Sequence, residues 1–253
     1  MIFGINIEVI FGLWLRQVKR YYRSKSRFIA ALGQPILFLI ALSYGFGPVF
    51  QRAGGINYLQ FLVPGIMGMS ILTTSLMMGI ELIWDRQFGI LKETLVAPVS
   101  RLKIMIGRTI GGATVGIIQG LIIFLISLIF GFKPIINYVW IAVIFAILTS
   151  FLFSAFGTLI ATLLQDMQGF QLIMNFVVMP MVFLSGALFP LENLPKSILG
   201  VVRINPLSYC VDGLRQSLSG IHHFGILSDL LILIPLTSIL LIIGSWAFSR
   251  MQV

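Results

Sequence analysis

The sequence predicts an all-α integral membrane protein with six transmembrane helices. Of its 253 residues, 58% are hydrophobic and only 10% are charged, whereas soluble domains average roughly 45–50% apolar and about 25% charged residues. The chain contains six uncharged runs, each long enough to cross a bilayer as a helix and each lacking the alternation of a transmembrane β-barrel strand. These runs occupy residues 28–51, 53–80, 109–132, 134–165, 167–191 and 230–249.

Positive charge is distributed unevenly between the two sides that six spans would define. Of the 17 Lys and Arg residues, 12 lie before the first span, between spans two and three, or at the C-terminus. The positive-inside rule therefore predicts that both termini and the connection between spans two and three are cytoplasmic. The formal net charge of +9 accordingly indicates orientation, and we expect no nucleic-acid partner. Because Cys210 is the only cysteine, an intramolecular disulfide is excluded.

Residues 1–27 predict an amphipathic helix that lies at the membrane interface. Apolar residues recur in this segment at spacings of three and four, and basic residues occupy the other face, as in helices that contact lipid headgroups. The first two spans are predicted at 28–50 and 59–83, and Pro64 favours a kink in the second. Charged and apolar residues then interleave at helical spacing, which predicts a short cytoplasmic helix over 84–100.

The rest of the chain contains four further predicted spans, at 104–131, 137–164, 169–190 and 229–249. The third span carries two consecutive GxxxG steps, a spacing that lets helix backbones approach closely in lipid. The helix that packs on this stripe belongs either to the same chain or to a second protomer. The glycines of the stripe are Gly112, Gly116 and Gly120.

The segment 191–220, between spans five and six, is too long for a simple turn. Asn205 suits a helix N-cap and Pro206 suits the first helical position, so a helix is predicted from there to Gly220. This helix is too short to cross the bilayer. We therefore expect short re-entrant helices at the outer side of the membrane.

Sequence motifs for nucleotide, metal or serine chemistry are missing. The chain has no GxxxxGK[ST] loop, no HExxH pair and no GxSxG elbow. We therefore expect no catalytic residue, no metal site and no cofactor bound by this chain. His222 and His223 are adjacent, which does not suit a zinc-binding helix, and an interfacial loop is expected there.

No ionisable residue lies in the middle of a predicted span, where an ion-coupled carrier usually places one. Glu81, Asp85 and Asp229 fall at span boundaries and are expected to be solvated. If the chain transports a substrate, the energy is therefore expected to come from a partner that docks on residues 84–100. The alternative is a secondary transporter or channel without an ATPase partner.

Three segments resemble the permease subunits of the ABC transporter type-2 family, which includes exporters of drugs, lipids and polysaccharides. Residues 85–101 (DRQFGILKETLVAPVSR) resemble the coupling-helix segment of the family. Residues 183–195 (FLSGALFPLENLP) are similar to the outer end of its fifth span, and residues 205–215 (NPLSYCVDGLR) to the segment before its last span. With the chain length and the six predicted spans, the resemblance covers essentially the whole chain as one permease domain, 1–253.

The resemblance implies a homodimer of two permease protomers with two copies of a separate ABC ATPase subunit, which would bind the ATP and Mg²⁺. It further implies a location in the prokaryotic inner membrane and export of a hydrophobic or amphipathic substrate, such as a drug, a lipid or a lipid-linked glycan. The residues implied in ATPase coupling are Asp85, Arg86, Gly89, Lys92, Glu93 and Pro98. Those implied in an outer gate are Ser185, Gly186, Pro190, Asn205, Pro206, Asp212 and Arg215.

Overall fold

The computed structural model describes residues 7–52, 57–91, 100–191 and 195–250, and within these ranges the regular structure is entirely helical. The prediction of an all-α fold is therefore confirmed for this part of the chain. The helices in chain order are α1 (Ile7–Arg23), α2 (Lys25–Arg52), α3 (Tyr58–Met77), α4 (Ile80–Gln87), α5 (Arg101–Ile129), α6 (Val139–Leu163), α7 (Met167–Phe183), α8 (Lys196–Ile204), α9 (Pro206–Ser219) and α10 (Ile226–Arg250). A 3₁₀ turn, Ile136–Tyr138, precedes α6.

Five helical segments of the described ranges are long and apolar enough to cross a membrane. They are Lys25–Val49, Tyr58–Gln87, Arg101–Ile129, Ile136–Leu163 and Ile226–Arg250. The chain is therefore a multi-pass membrane protein by length and composition of its helices.

The helix at the predicted fifth span is shorter than expected. The prediction was 169–190, but α7 ends at Phe183 after 17 residues, which gives a length of about 26 Å against a hydrocarbon core of about 30 Å. The chain turns after Phe183 with Gly186 in the left-handed region, at φ 74°. The six-span layout therefore stays a prediction.

The predicted second span is divided into two helices, α3 and α4, by a turn at Met78 and Gly79. A Cβ at position 79 would collide with the backbone of Gly157 in α6, so the turn and α6 are in direct backbone contact here. α3 itself continues through Pro64, where the sequence favoured a kink. The turn is therefore placed by a contact with α6 instead of by the proline.

α3 forms the centre of the bundle and contacts α2, α5, α6 and α9. It is buried along most of its length, whereas few residues of α2 and α10 are fully buried. The bundle has two ends. We call the end that carries α1 and α4 the basic end, and the end that carries α8 and α9 the opposite end. The largest fully buried core side chains include Leu62, Ile66, Leu72, Leu76, Phe145 and Phe153.

The glycine stripe of α5 packs on helices of the same chain. A Cβ at Gly112 would collide with Ser154 Oγ of α6, and a Cβ at Gly116 with Ser75 Oγ of α3. At Gly120 it would lie 2.7 Å from the Ile71 side chain. The close approach left open by the sequence is therefore made between α5, α3 and α6 of one protomer.

We predict that Gly116→Leu destabilises the bundle, because the added side chain forces α5 away from α3 and overpacking of this kind costs about 1–3 kcal/mol. The measurement is the thermal unfolding midpoint of the purified protein in detergent. Gly45→Leu in α2 is the matched control, since a Cβ there meets no atom within 4 Å. Equal midpoints for the two variants would contradict the packing role of the stripe.

Candidate functional site

Arginines from three helices surround the two carboxylates of α4 at the basic end. α1 and α2 supply three of them and α5 the fourth, although the sequence places these helices far apart. We call this group the arginine–carboxylate cluster. Its members are Arg16, Arg20, Arg27, Glu81, Asp85 and Arg108.

Asp85 is the centre of the cluster, and its side chain is only 1% exposed. Arg108 of α5, which is also buried, bonds to Asp85 Oδ2. Arg16 Nη2 lies 2.5 Å from the same oxygen, and Arg20 Nη1 lies 3.4 Å from Oδ1. One carboxylate thus joins α1, α4 and α5, and a buried charge with several partners is costly to separate from them.

Glu81 and Trp84 extend the cluster along α4 towards α2. Arg27 Nη1 donates to Glu81 Oε1 at 2.9 Å. The guanidinium groups of Arg20 and Arg27 lie 5.4 and 5.0 Å from the centre of the Trp84 ring, within the range of cation–π attraction. The tryptophan therefore holds both arginines against α4.

Arg86 connects α4 to the end of α6. Its Nη1 donates to the carbonyl oxygen of Leu164 at 2.9 Å, and its Nη2 to that of Thr162 at 3.2 Å. These carbonyl groups lie in the last turn of a helix, where they lack partners within the helix and attract a cation. α4 is thus bonded to α1, α2, α5 and α6.

The positions of the predicted coupling residues differ from the expected exposed helix. Glu81 and Asp85 are inside the protein, so the expectation that they are solvated is wrong, and Asp85 is not available as a surface contact. Arg86 is bonded to the backbone of α6. Gly89 has φ 75° and turns the chain after α4. Lys92, Glu93 and Pro98 lie outside the described residues.

Phe88 is an exposed aromatic residue at the end of α4. It is 71% exposed and follows the last residue of the helix. The interleaving of charged and apolar residues over 84–100 predicted that it lies on the apolar face of an amphipathic helix. Its neighbours Asp85 and Arg86 face inward instead, because the surrounding arginines and carbonyl groups satisfy them.

A second polar cluster lies at the opposite end and is centred on Arg215 of α9. Its Nε donates to the carbonyl oxygen of Phe61 at 3.1 Å, and its Nη2 donates to that of Gly186 at 2.9 Å. The guanidinium lies 3.7 Å from the centre of the Phe61 ring. Arg215 therefore connects α9 to the start of α3 and to the turn that follows α7.

Asp212, one turn before Arg215, holds the chain that leads into α10. Its carboxylate accepts hydrogen bonds from the backbone N–H groups of His223, Phe224 and Gly225, at 2.7, 2.8 and 3.2 Å. The backbone of His223 is therefore fixed by a carboxylate. His222 and His223 do not form part of a group of three metal-ligating side chains within the described residues.

Asn205 begins α9 as the sequence predicted. Its Oδ1 accepts from the Leu207 N–H at 3.0 Å, Pro206 is the first helical residue, and Gly220 ends the helix at φ 72°. Asn205 Nδ2 also donates to the Met181 carbonyl oxygen at 2.7 Å, which joins α9 to α7.

Three more predicted gate positions lie in the turn after α7. Ser185 Oγ donates to the Val182 carbonyl oxygen at 2.8 Å, and Gly186 accepts from Arg215. Pro190 is half-buried. The structure thus brings Ser185, Gly186, Asn205, Asp212 and Arg215 into one hydrogen-bonded region.

Asp229, at the start of α10, is buried although the sequence predicts that it is solvated. The sequence placed it at a solvated boundary, but it is fully buried, and neither carboxylate oxygen has a hydrogen-bond partner within the described residues. The spacing of charges along the chain gave no signal for this, because the residues that cover it come from elsewhere in the fold.

A cavity of about 350 Å³ opens beside the arginine–carboxylate cluster, between α2, α3, α4 and α7. Arg27, Trp84 and Tyr21 line it towards the basic end, and Gln34 and Gln171 add amide groups to its wall. Burial raises the pKa of Tyr21, which Arg27 lowers to a smaller extent, and the Tyr21 hydroxyl donates to Gln119 Oε1 at 3.1 Å. Arg27 thus makes the basic end of the cavity positively charged.

Comparison with known proteins identifies the family of this chain. Residues 8–219 match the family described as ABC-2 type transporter. The chain belongs to this family. The resemblance inferred from the three sequence segments is therefore confirmed, and the protein is a transport permease subunit of an ABC transporter.

Individual relatives agree with this assignment. The chain is 29% identical over 216 residues to the inner membrane transport permease YadH of Escherichia coli K12, with 83% of each chain covered. It is 30% identical to the putative transport permease ycf38 of Cyanophora paradoxa, over 83% of this chain and 73% of that one. It is 26% identical to nodulation protein J of Rhizobium leguminosarum bv. viciae, over 82% of each.

We predict that Asp85→Asn destabilises this ABC-2 permease by about 3–5 kcal/mol, because it leaves the buried Arg108 without a counter-charge. The readout is the free energy or midpoint of unfolding in detergent. Asp85→Asn combined with Arg108→Gln is expected to recover part of the loss. Asp166→Asn is the control, since that exposed N-cap carboxylate is replaced by an equally good cap. Similar losses for Asp85→Asn and Asp166→Asn would contradict the central role of Asp85.

Proposed function

We propose that the protein is the membrane subunit of an ATP-driven exporter and is coupled to a separate ABC ATPase through α4 and the segment that follows it. The observation that supports this most is the bonding of α4. This eight-residue helix is tied to α1 and α5 by Asp85 and to α6 by Arg86, and it presents Phe88 to the surroundings. A helix with these connections can pass a displacement at its exposed end to most of the bundle.

Separation of α4 from its neighbours would be costly. The Asp85 carboxylate would lose bonds to Arg108 and Arg16, and the removal of one partner from a buried ion pair costs several kcal/mol. A force on Phe88 is therefore expected to move α1, α4 and the adjoining ends of α5 and α6 together.

The proposed docking surface begins with the exposed residues Gln87 and Phe88. Gly89, at φ 75°, then changes the chain direction. Lys92, Glu93 and Pro98 continue the surface in our proposal. An aromatic anchor that is fully desolvated and surrounded by contacts that exclude water is typical of an interaction hot spot. Phe88 would provide that anchor once an ATPase covers it.

A secondary transporter or channel without an ATPase is the alternative. Asp229 favours it, because a buried carboxylate without a partner within the described residues is the kind of group that binds a coupling ion. Asp212 and Arg215 do not add to this argument, since both are bonded to backbone groups. A dependence of transport on ATP and on the ATPase subunit separates the two functions.

The composition of the exposed face of α7 supports the proposal of a homodimer. Gln168, Gln171 and Asn175 are exposed at helical spacing on this face beside Phe176, which is 83% exposed. Amide groups are costly in the hydrocarbon of a bilayer unless protein or water contacts them. We therefore propose that α7 faces the partner of a homodimer across the substrate path.

The substrate proposed for this path is hydrophobic or amphipathic, such as a drug, a lipid or a lipid-linked glycan. The support is the mixture of amides with large apolar side chains on α7 and on the neighbouring α2, where Leu37 and Tyr44 are exposed. We place the basic end and both chain termini at the cytoplasmic face of the inner membrane, in agreement with the charge distribution.

The docking proposal predicts that Phe88→Ala lowers the amount of co-expressed ABC ATPase that co-purifies with the permease by about tenfold or more, because a hot-spot aromatic contributes 2 kcal/mol or more, roughly thirtyfold in affinity. Phe11→Ala, at another exposed phenylalanine of the basic end, is the control and is expected to retain the ATPase. Undiminished co-purification and ATPase stimulation in Phe88→Ala would overturn the docking surface.

The dimer proposal predicts that Phe176→Cys forms a disulfide between two protomers in membranes treated with a mild oxidant. The native Cys210 is buried and does not contribute. Ile242→Cys, on the exposed face of α10, is the matched control and is expected to remain monomeric on a non-reducing gel. Cross-linking of the control alone would assign the interface to α10 and reject α7.

A further inference from the structure

The arginine–carboxylate cluster contains more positive than negative charge. Its four arginines are balanced by only two carboxylates, Asp85 and Glu81. Asp85 serves three arginines and Glu81 serves the fourth. Excess charge in a region partly removed from water is unfavourable unless an ion of opposite sign compensates it. The composition of the cluster therefore favours a bound anion.

The accessible part of this excess charge lies at three arginines. The side chains of Arg16, Arg20 and Arg27 are 37%, 33% and 30% exposed, whereas Arg108 is 4% exposed. Of the three, Arg20 and Arg27 have their guanidinium groups held against the Trp84 ring. Guanidinium groups fixed in this way are suited to phosphate oxygens, which they contact through two parallel N–H donors.

The cavity continues from Arg27 into an apolar region. Arg27 and Trp84 lie at its basic end, and Met69 of α3 lies farther into the bundle. The hydroxyl groups of Ser70 and Thr73 in its wall donate to carbonyl groups of their own helix at 2.7 and 2.8 Å. They are therefore already satisfied, and the wall beyond the arginines suits a ligand with an apolar part.

The two helices that flank the cavity also expose large apolar side chains. α2 exposes Leu37 and α7 exposes Leu172, and both helices contribute lining residues. A ligand with its anionic group at Arg27 could extend along these side chains without leaving the protein surface. The volume of about 350 Å³ is large enough for a headgroup and the first carbons of its chains.

We propose that this cavity is a binding site for an anionic phospholipid of the surrounding membrane. Arg27 contacts the headgroup phosphate, and Arg20 adds positive charge from its position over the Trp84 ring. The Gln34 and Gln171 amides contact the polar glycerol region, and the acyl chains lie along α2 and α7. Charge complementarity selects this occupant over a neutral lipid. The site does not depend on the ATPase, so its existence is separate from the docking of α4.

The test is native mass spectrometry of the purified permease in a neutral detergent. Phosphatidylglycerol and phosphatidylcholine of equal chain length are added in turn, and the bound fraction of each is measured. We expect about tenfold tighter binding of phosphatidylglycerol, because only its phosphate is not offset by a positive group. Equal binding of the two lipids would overturn the proposal. Displacement of phosphatidylglycerol by an equal concentration of inorganic phosphate would assign the site to a free anion and also overturn it.

Two variants locate the binding. Ala30→Trp fills the cavity, since Ala30 lines it and is exposed. Arg27→Gln combined with Glu81→Gln removes the headgroup contact but replaces the ion pair by a neutral hydrogen bond, so that no carboxylate is left buried without a partner. Each variant is expected to weaken phosphatidylglycerol binding about tenfold while phosphatidylcholine binding changes little.

The controls carry the same chemical changes at other places. Ile29→Trp adds the same side chain at the neighbouring position of α2, which does not line this cavity. Arg250→Gln removes an arginine that also lies over a tryptophan, 4.2 Å from the centre of the Trp246 ring. Both controls are expected to bind phosphatidylglycerol like the parent protein. Unchanged binding in Ala30→Trp and in the double variant, with folded protein by gel filtration, would reject the site.

Discussion

The carboxylate of Asp85 is the constraint on which the basic end depends. It is buried in a helix of eight residues, and it is shared by arginines from α1 and α5. A carboxylate in this environment is stable only with its partners in place, and the buried Arg108 has the same requirement in return. α1, the short helix α4 and the start of α5 therefore have one relative arrangement. The remaining connections of α4, through Glu81 and Arg86, are added to this one.

The opposite end is built on a different kind of bond. Arg215 donates to backbone carbonyl groups of Phe61 and Gly186, and Asp212 accepts from three successive backbone N–H groups. The charges here satisfy irregular backbone that leaves and enters helices, where water is limited and each unpaired polar group is costly. The basic end is thus joined mainly by ion pairs between side chains, with Arg86 bonding to backbone as well, while the opposite end joins side chain to backbone.

The sequence predicted best those structural features that are determined by residues close together in the chain. Asn205, Pro206 and Gly220 set the ends of α9 by their own backbone and capping preferences, and the GxxxG spacing correctly marked Gly112 and Gly116 as sites of close approach. The length and polarity of the runs were sufficient for the membrane class. These signals lie within about one or two helical turns of the residues they concern.

Features that depend on contacts between residues far apart in the chain could not be predicted from the sequence. The turn at Gly79 exists because Gly157 of α6 crosses there, and the burial of Asp85 depends on Arg16 and Arg108, which are far from it in the chain. The early end of α7 follows from the turn that presents Gly186 to Arg215. In each case the contact comes from a residue that is distant in the sequence. The amphipathic pattern of 84–100 therefore predicted a solvated helix, whereas the structure buries Asp85 of α4.

The short length of α4, between Gly79 and Gly89, limits the motion that the helix would transmit in the proposed coupling to an ATPase. Eight residues span about 12 Å, so a rotation of about 10° around Gly79 shifts the Phe88 end by roughly 2 Å and the Asp85 carboxylate by less. A shift of that size keeps the carboxylate within reach of flexible arginine side chains. A rotation of α4 of this size would therefore displace the neighbouring helices by no more than roughly 2 Å.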